Sequence, residues 1–214
     1  MIIVQARLNS KRLPGKVLMK INNKTLLEYL VESLKHIPSE IIIATYRQDS
    51  KIIKLCKKKN IMCYVSVLNN VARRFKEISE KSDEKYFVRI SADSPLIDYR
   101  IIKKMLKNFK KNKYVFYTNR GKNFPSGQTV EILDKKFFLD NYKNFRTKNH
   151  FEHVTSYFYE KKKNKIHYFE NKKNYSNMKM SVDSYDDFIK VKNLIEGLKY
   201  KHFKYNLDQL AKRW

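Results

Sequence analysis

The sequence predicts a single α/β domain built on a doubly wound, mostly parallel sheet. Three observations carry that expectation. Four short runs, residues 2–4, 40–45, 61–65 and 86–90, have the β-branched and aromatic content of buried strands. Between them lie stretches with apolar residues at helical spacing, and such alternation means parallel pairing through right-handed crossovers. A length of 214 residues suits one well-buried domain with at most a small appendage.

The first strand, Ile2, Ile3 and Val4, runs abruptly into Arg7, Lys11, Arg12, Pro14, Gly15 and Lys16. Four cations so close together repel one another unless an anion sits among them. Pro14-Gly15 supplies a turn that can face backbone N–H groups inward. The simplest ligand is a polyphosphate; a solvated basic turn is the alternative. Thr25 followed by Glu28 is a capping box opening a helix through Leu26, Leu27, Leu30, Leu34 and Ile37, which Pro38 is expected to end. After the second strand, residues 50–59 read as a helix with Ile52, Ile53 and Cys56 on one side. Asn69 or Asn70 caps the next helix, through Val71, Phe75 and Ile78.

The loop at residues 91–98, Ser-Ala-Asp-Ser-Pro-Leu-Ile-Asp, follows the fourth strand and emerges on the same carboxyl edge as the basic loop. Asp93 then faces the cations. Either it holds a Mg²⁺ ion bridging phosphate oxygens, or with Ser94 it shapes the turn before Pro95. Asp98 reads as the N-cap of a helix through Ile101, Ile102, Met105, Leu106 and Phe109. A strand at 114–117, a Pro125-Ser126-Gly127 turn with an alternating strand after it, and a helix through Phe137, Phe138, Leu139 and Tyr142 follow. His150 and His153 lack the spacing that puts two imidazoles on one helix face, which argues against zinc. Residues 166–169 and 178–182 read as late strands, Ser184 opens a helix through Phe188, Val191, Leu194 and Ile195, and a short helix is expected at 208–214.

The net charge of +26 and a pI near 9.9 invite a nucleic-acid partner. The make-up of that charge argues otherwise: 37 Lys against 10 Arg, scattered as Lys57-Lys58-Lys59, Lys103-Lys104, Lys110-Lys111, Lys161-Lys162-Lys163 and Lys172-Lys173. No recognisable nucleic-acid module accompanies them, so no such partner is expected. No 18-residue apolar run and no leader pattern is present, which leads to the expectation of a cytoplasmic protein without a membrane span. Cys56 and Cys63 are expected as free thiols.

The order of residues is more specific than their charge. Gln5-Ala6-Arg7 and Arg12-Leu13-Pro14-Gly15-Lys16 resemble the opening of the sugar-activating cytidylyltransferases. The match is to the SpsF-like branch named for spore-coat polysaccharide synthesis, related to the CMP-ketodeoxyoctonate and CMP-sialate synthetases. Asp93-Ser94-Pro95-Leu96-Ile97-Asp98, then Pro125, Gly127 and Glu131, then Glu152-His153-Val154-Thr155, then Val182-Asp183 continue the resemblance through about residue 196. Two places depart from it. Phe151 stands where the family has arginine, and residues 66–70 lack its polar, glycine-containing loop, which leaves cytosine specificity open.

The resemblance implies a Rossmann-like nucleotidyltransferase domain over 1–196, with a small β-hairpin and helix insertion at about 118–160 for the acceptor; outside it, the basic aromatic tail over 197–214 is expected to pack as a short helix or to aid a homodimer. It implies a CTP site from Gln5, Ala6, Arg7, Leu8, Asn9, Arg12, Lys16, Ser91 and Ala92, with Arg7, Arg12, Lys16 and Asp93 serving catalysis. It assigns Mg²⁺ to Asp93 and Asp183, and a sugar-type acceptor to Asn119, Pro125, Gly127, Glu131, Glu152 and His153. The implied reaction passes CMP to that acceptor and releases pyrophosphate, without a nucleophilic side chain. Another nucleoside triphosphate as donor, a phosphorylated acceptor, or an inactive basic binding protein of the same fold are the alternatives.

Overall fold

The computed structural model describes residues 1–67 and 70–214. Strand β1 (Ile2–Gln5) is an inner strand, third from one edge, of a seven-stranded sheet. A small hairpin of β2 (Lys20–Ile21) and β3 (Lys24–Thr25) leads into helix α1 (Leu26–Leu34). Then come β4 (Ile41–Tyr46), α2 (Ser50–Lys58), β5 (Met62–Ser66), α3 (Val71–Glu80) and β6 (Tyr86–Ser91). The second half adds α4 (Tyr99–Asn112), β7 (Phe116–Thr118), β8 (Glu131–Asp134), α5 (Lys135–Tyr142), α6 (Lys148–Glu152), α7 (Ser156–Lys161) and β9 (Ile166–Tyr168). Helices α8 (Tyr185–Glu196) and α9 (Leu207–Ala211) close the chain.

The sheet order is β5-β4-β1-β6-β8-β7-β9. Strands β5, β4, β1 and β6 are parallel, and β8 inserts antiparallel between β6 and β7, as the doubly wound, mostly parallel expectation required. The direction of travel reverses between β1 and β6, where a doubly wound sheet opens its crevice.

Alternate residues of β1 serve opposite faces, because the strand is buried on both sides. Ile2 and Val4 pack with Leu27 and Leu30 of α1, Ile52 and Cys56 of α2, and Ile102 and Met105 of α4. Ile3 joins Phe75 of α3, Phe138 of α5 and Phe158 of α7 on the other face. A third cluster gathers Leu26, Leu96, Met180, Val182, Phe188, Leu207 and Leu210. The residues after Gly197 are therefore packed against the body, with His202 buried beside Tyr29.

Local chemistry accounts for the boundaries. Thr25 and Glu28 form the expected capping box, Asp98 caps α4, and Ser184 with Asp187 forms a box at α8. Asn70 caps α3 by accepting from Arg73 N, whereas Asn69 lies outside the described residues. Helix α1 ends at Leu34, before Pro38, since a turn there brings Ile37 N to Leu34 O at 2.9 Å and buries Ile37. Residues 178–182 are not a strand of the sheet. They are an extended segment held by one bridge, Ser126 to Lys179, and by Val182 N donating to Asp93 O at 2.9 Å. Of the alternating stretch after Gly127, only Glu131–Asp134 enters the sheet, and β7 starts two residues later than residue 114. The hairpin at Lys20–Thr25 was not expected; Asn22 and Asn23 at φ 46° and 64° give it the left-handed turn that Asn tolerates. Among the described residues, no helix is long and apolar enough to cross a membrane.

Candidate active site

The basic loop leaves β1 and folds back on itself, with Gly15 N donating to Leu8 O at 2.7 Å. Gly15 has φ +71°, the left-handed conformation that favours glycine, and so closes the turn without strain. Leu8 N is held at 3.2 Å by Oδ1 of the buried Asp49, whose Oδ2 accepts from Thr45 Oγ1. Asp49, at the exit of β4, is thus an anchor of the loop that sequence reasoning missed. Only its position just before α2 hinted at a cap.

Lys16 is buried at the centre of the crevice. Its ammonium donates to Asp93 Oδ2 at 2.8 Å and to Asp183 Oδ1 at 3.0 Å. Arg12 reaches the same Asp183 oxygen at 2.9 Å, and Arg7 pairs with Glu152 at 3.1 Å. The two aspartates, 90 positions apart in the chain, are brought together because Val182 N bonds the carbonyl of Asp93. Burial works to raise the Asp183 carboxyl pKa, but Lys16, Arg12 and Lys179 outweigh it and hold the group below the usual range. Glu152 is likewise depressed: burial opposes ionisation and the Arg7 bond and charge overcome it. Both stay ionised below neutral pH.

Two cavities meet at this point. The smaller, about 330 Å³, is lined by Gln5, Arg7, Arg12, Lys16 and Ala92 among others, and is cationic. The larger, about 570 Å³, is rich in hydroxyls, including Ser94, Thr129, Thr155, Ser156 and Ser181. Arg89, Ser91, Asp93, His153 and Asp183 belong to both walls. A cation between two carboxylates, with basic groups on one side and hydroxyls on the other, is an arrangement able to bring a phosphorylated donor to a hydroxylated acceptor. Asp93 and Asp183 already share one positive ion, the ammonium, so the pair suits a metal that takes one or two carboxylates and completes its shell with phosphate and water. Among the described residues, no cluster of three or more His, Cys, Asp or Glu is placed for a metal.

The residues expected for the acceptor divide. Gly127 lines the larger cavity at φ +93°, and a Cβ there would meet the Met180 and Ser181 backbone at 2.6 Å. Pro125 is buried and accepts from Gln128 N at 3.1 Å, which sets the turn. His153 is exposed at the mouth shared by both cavities. Asn119, like Pro125 and Glu152, lines neither cavity; its amide bonds Gln128 O and Val130 N, both at 2.8 Å. Asn9 is exposed and lines neither, and Ala6 is buried beneath the loop. Phe151 meets Tyr142 edge-on and Phe145 at a tilt, and lines neither cavity.

Glu131 is not a solvent-facing strand residue. It is 1% exposed, pairs with Arg89, and accepts from Thr155 Oγ1 at 3.0 Å and Tyr159 OH at 2.8 Å. Arg89 donates its other amino group to Gln5 Oε1 at 3.0 Å, so one guanidinium ties the cationic wall to the hydroxyl-rich one. Sequence reasoning missed Arg89, although a lone arginine inside the apolar strand Tyr86–Ser91 was its signal. Between His153 and Thr155, Val154 sits at φ +25°, a conformation costly for a β-branched residue and one that turns both neighbours into the crevice.

Comparisons with known proteins bear on the family and the fold. An uncharacterized protein of Methanocaldococcus jannaschii is 33% identical over 162 residues, 74% of this chain and 66% of its own length. The spore coat polysaccharide biosynthesis protein SpsF of Bacillus subtilis is 26% identical over 168 residues, 73% of this chain and 68% of that protein. The solved structure of a cytidylyltransferase from Leptospira borgpetersenii superposes with a TM-score of 0.93 at 25% identity, covering 99% of this chain and 91% of that one. The cytidylyltransferase family profile matches residues 1–210, and the chain belongs to that family of nucleotidyltransferases.

Proposed function

We propose that the protein transfers CMP from CTP to a sugar or sugar-acid acceptor, releases pyrophosphate, and serves the synthesis of a surface polysaccharide. The observation that carries this reading is the junction of the two cavities at Asp93 and Asp183, cationic on one side and hydroxyl-bearing on the other. Family membership supports the cytidylyl group, and SpsF is named for a polysaccharide pathway.

In this reading Arg7, Arg12 and Lys16 neutralise the triphosphate, with Gln5, Leu8, Ser91 and Ala92 shaping its seat. The acceptor lies against Gly127, Thr155 and His153. An acceptor oxygen attacks the α-phosphorus, its bond to phosphorus forms as the bond to pyrophosphate breaks, and its proton passes to solvent. Asp93 and Asp183 would hold Mg²⁺, which supplies charge stabilisation to the phosphate oxygens when bound. Positioning and charge carry the rate, so no side chain is asked to form a covalent bond. The test is incubation with CTP, Mg²⁺ and a panel of ketodeoxy acids, sugars and sugar phosphates, read by mass spectrometry. A CMP conjugate is expected. Consumption of another triphosphate in preference to CTP would refute the donor.

A further inference from the structure

Of the cations lining the smaller cavity, Arg7, Arg12, Lys16 and Arg89 are already paired with an acid of the protein itself. Arg7 is bound to Glu152, Arg12 to Asp183, and Lys16 to both Asp93 and Asp183. An anion entering alone would draw Lys16 away and leave two half-buried carboxylates facing its own negative charge. A divalent cation entering alone would meet the buried ammonium of Lys16. Either single step breaks an ion pair in a partly desolvated place and puts like charges together, which is costly. A joint exchange keeps every charge partnered.

We propose that Lys16 is an internal counter-ion holding the place of a divalent metal between Asp93 and Asp183, so that metal and nucleotide enter together. Lys16 and Arg12 then turn to the phosphates as the carboxylates pass to the metal. Arg7, on turning likewise, releases Glu152 of α6 toward the shared wall, so loading the cationic cavity rearranges the edge of the acceptor cavity. No covalent bond changes in this exchange. The inference rests on the crevice being a nucleotide site, and deepens that reading by giving the order in which its ligands bind.

Titration calorimetry on the full chain separates the possibilities, with three probes: MgCl₂ alone, CTP with EDTA, and CTP with MgCl₂. For the native protein MgCl₂ alone should give no saturable heat, and Mg²⁺ should tighten CTP binding by about tenfold or more, a reciprocal coupling. Lys16→Met should acquire saturable binding of MgCl₂ alone. Lys16→Gln, which keeps a donor for the carboxylates without the charge, should do the same and serves if the first variant does not fold. Native protein that binds MgCl₂ alone as tightly as the Lys16 variants, or whose CTP affinity ignores Mg²⁺, would overturn the proposal. No CTP binding under any condition would overturn the nucleotide reading beneath it.

Discussion

Gly127 and Arg89 show how single positions set the crevice, each for a different physical reason. At Gly127 the Met180–Ser181 backbone occupies the space a side chain needs, and φ is +93°. Gly127→Ala should therefore cost about 2 kcal/mol or more, through overpacking together with the left-handed backbone. The check is a fall in the urea midpoint with an unchanged m-value. At Arg89 the issue is charge. Arg89→Met would leave Glu131 buried without its cation, a loss of roughly 3–5 kcal/mol. The double variant Arg89→Met with Glu131→Gln should recover a good part of that, because the orphaned charge is gone. Equal midpoints for the single and double variants would contradict the account. Both residues also mark the limits of sequence reading: a Pro-x-Gly turn is visible as a turn, but what presses against it comes from 53 residues further along the chain.

At the scale of elements, the four parallel strands and their helices were legible because burial on both faces leaves continuous apolar runs, and caps such as Thr25, Asp98 and Ser184 announce themselves locally. The second half was less legible. Residues 178–182 have a strand's composition, yet their partners are a turn at Ser126 and a loop carbonyl at Asp93, so no ladder forms. Asn119 looks like a polar site residue and is a brace between backbone groups. The closing segment gives a pH prediction. Burial lowers the His202 pKa from 6.5 to about 4, with its Nε2 donating to Tyr29 O at 2.9 Å. The folded protein thus keeps His202 neutral where the unfolded chain binds a proton. Its contribution is complete above pH 6.5 and is lost as the pH falls toward 4, by up to about 3 kcal/mol. Urea unfolding at a series of pH values should show this slope in the native protein and a flatter one in His202→Gln.

For the whole molecule, the charge of +26 is spread along the chain. Lys57, Lys58, Lys59, Lys103, Lys104, Lys110, Lys111, Lys172 and Lys173 are all exposed and belong to several elements, a dispersed coat of charge. Binding to a short DNA duplex is accordingly expected to be weak, independent of Mg²⁺ and abolished by moderate salt, as fluorescence anisotropy would read. The cations that matter are the few folded inward by the switch in strand order, which carries the loops after β1 and β6 to one place. Asp93 is where those loops, the two cavities and the segment bearing Asp183 converge. The most direct measurement is the rate of pyrophosphate release from CTP with an acceptor that yields a CMP conjugate, compared between the native protein and Asp93→Ala. A fall of about 100-fold or more with the fold intact is the predicted result; release that continues at the native rate would contradict the account.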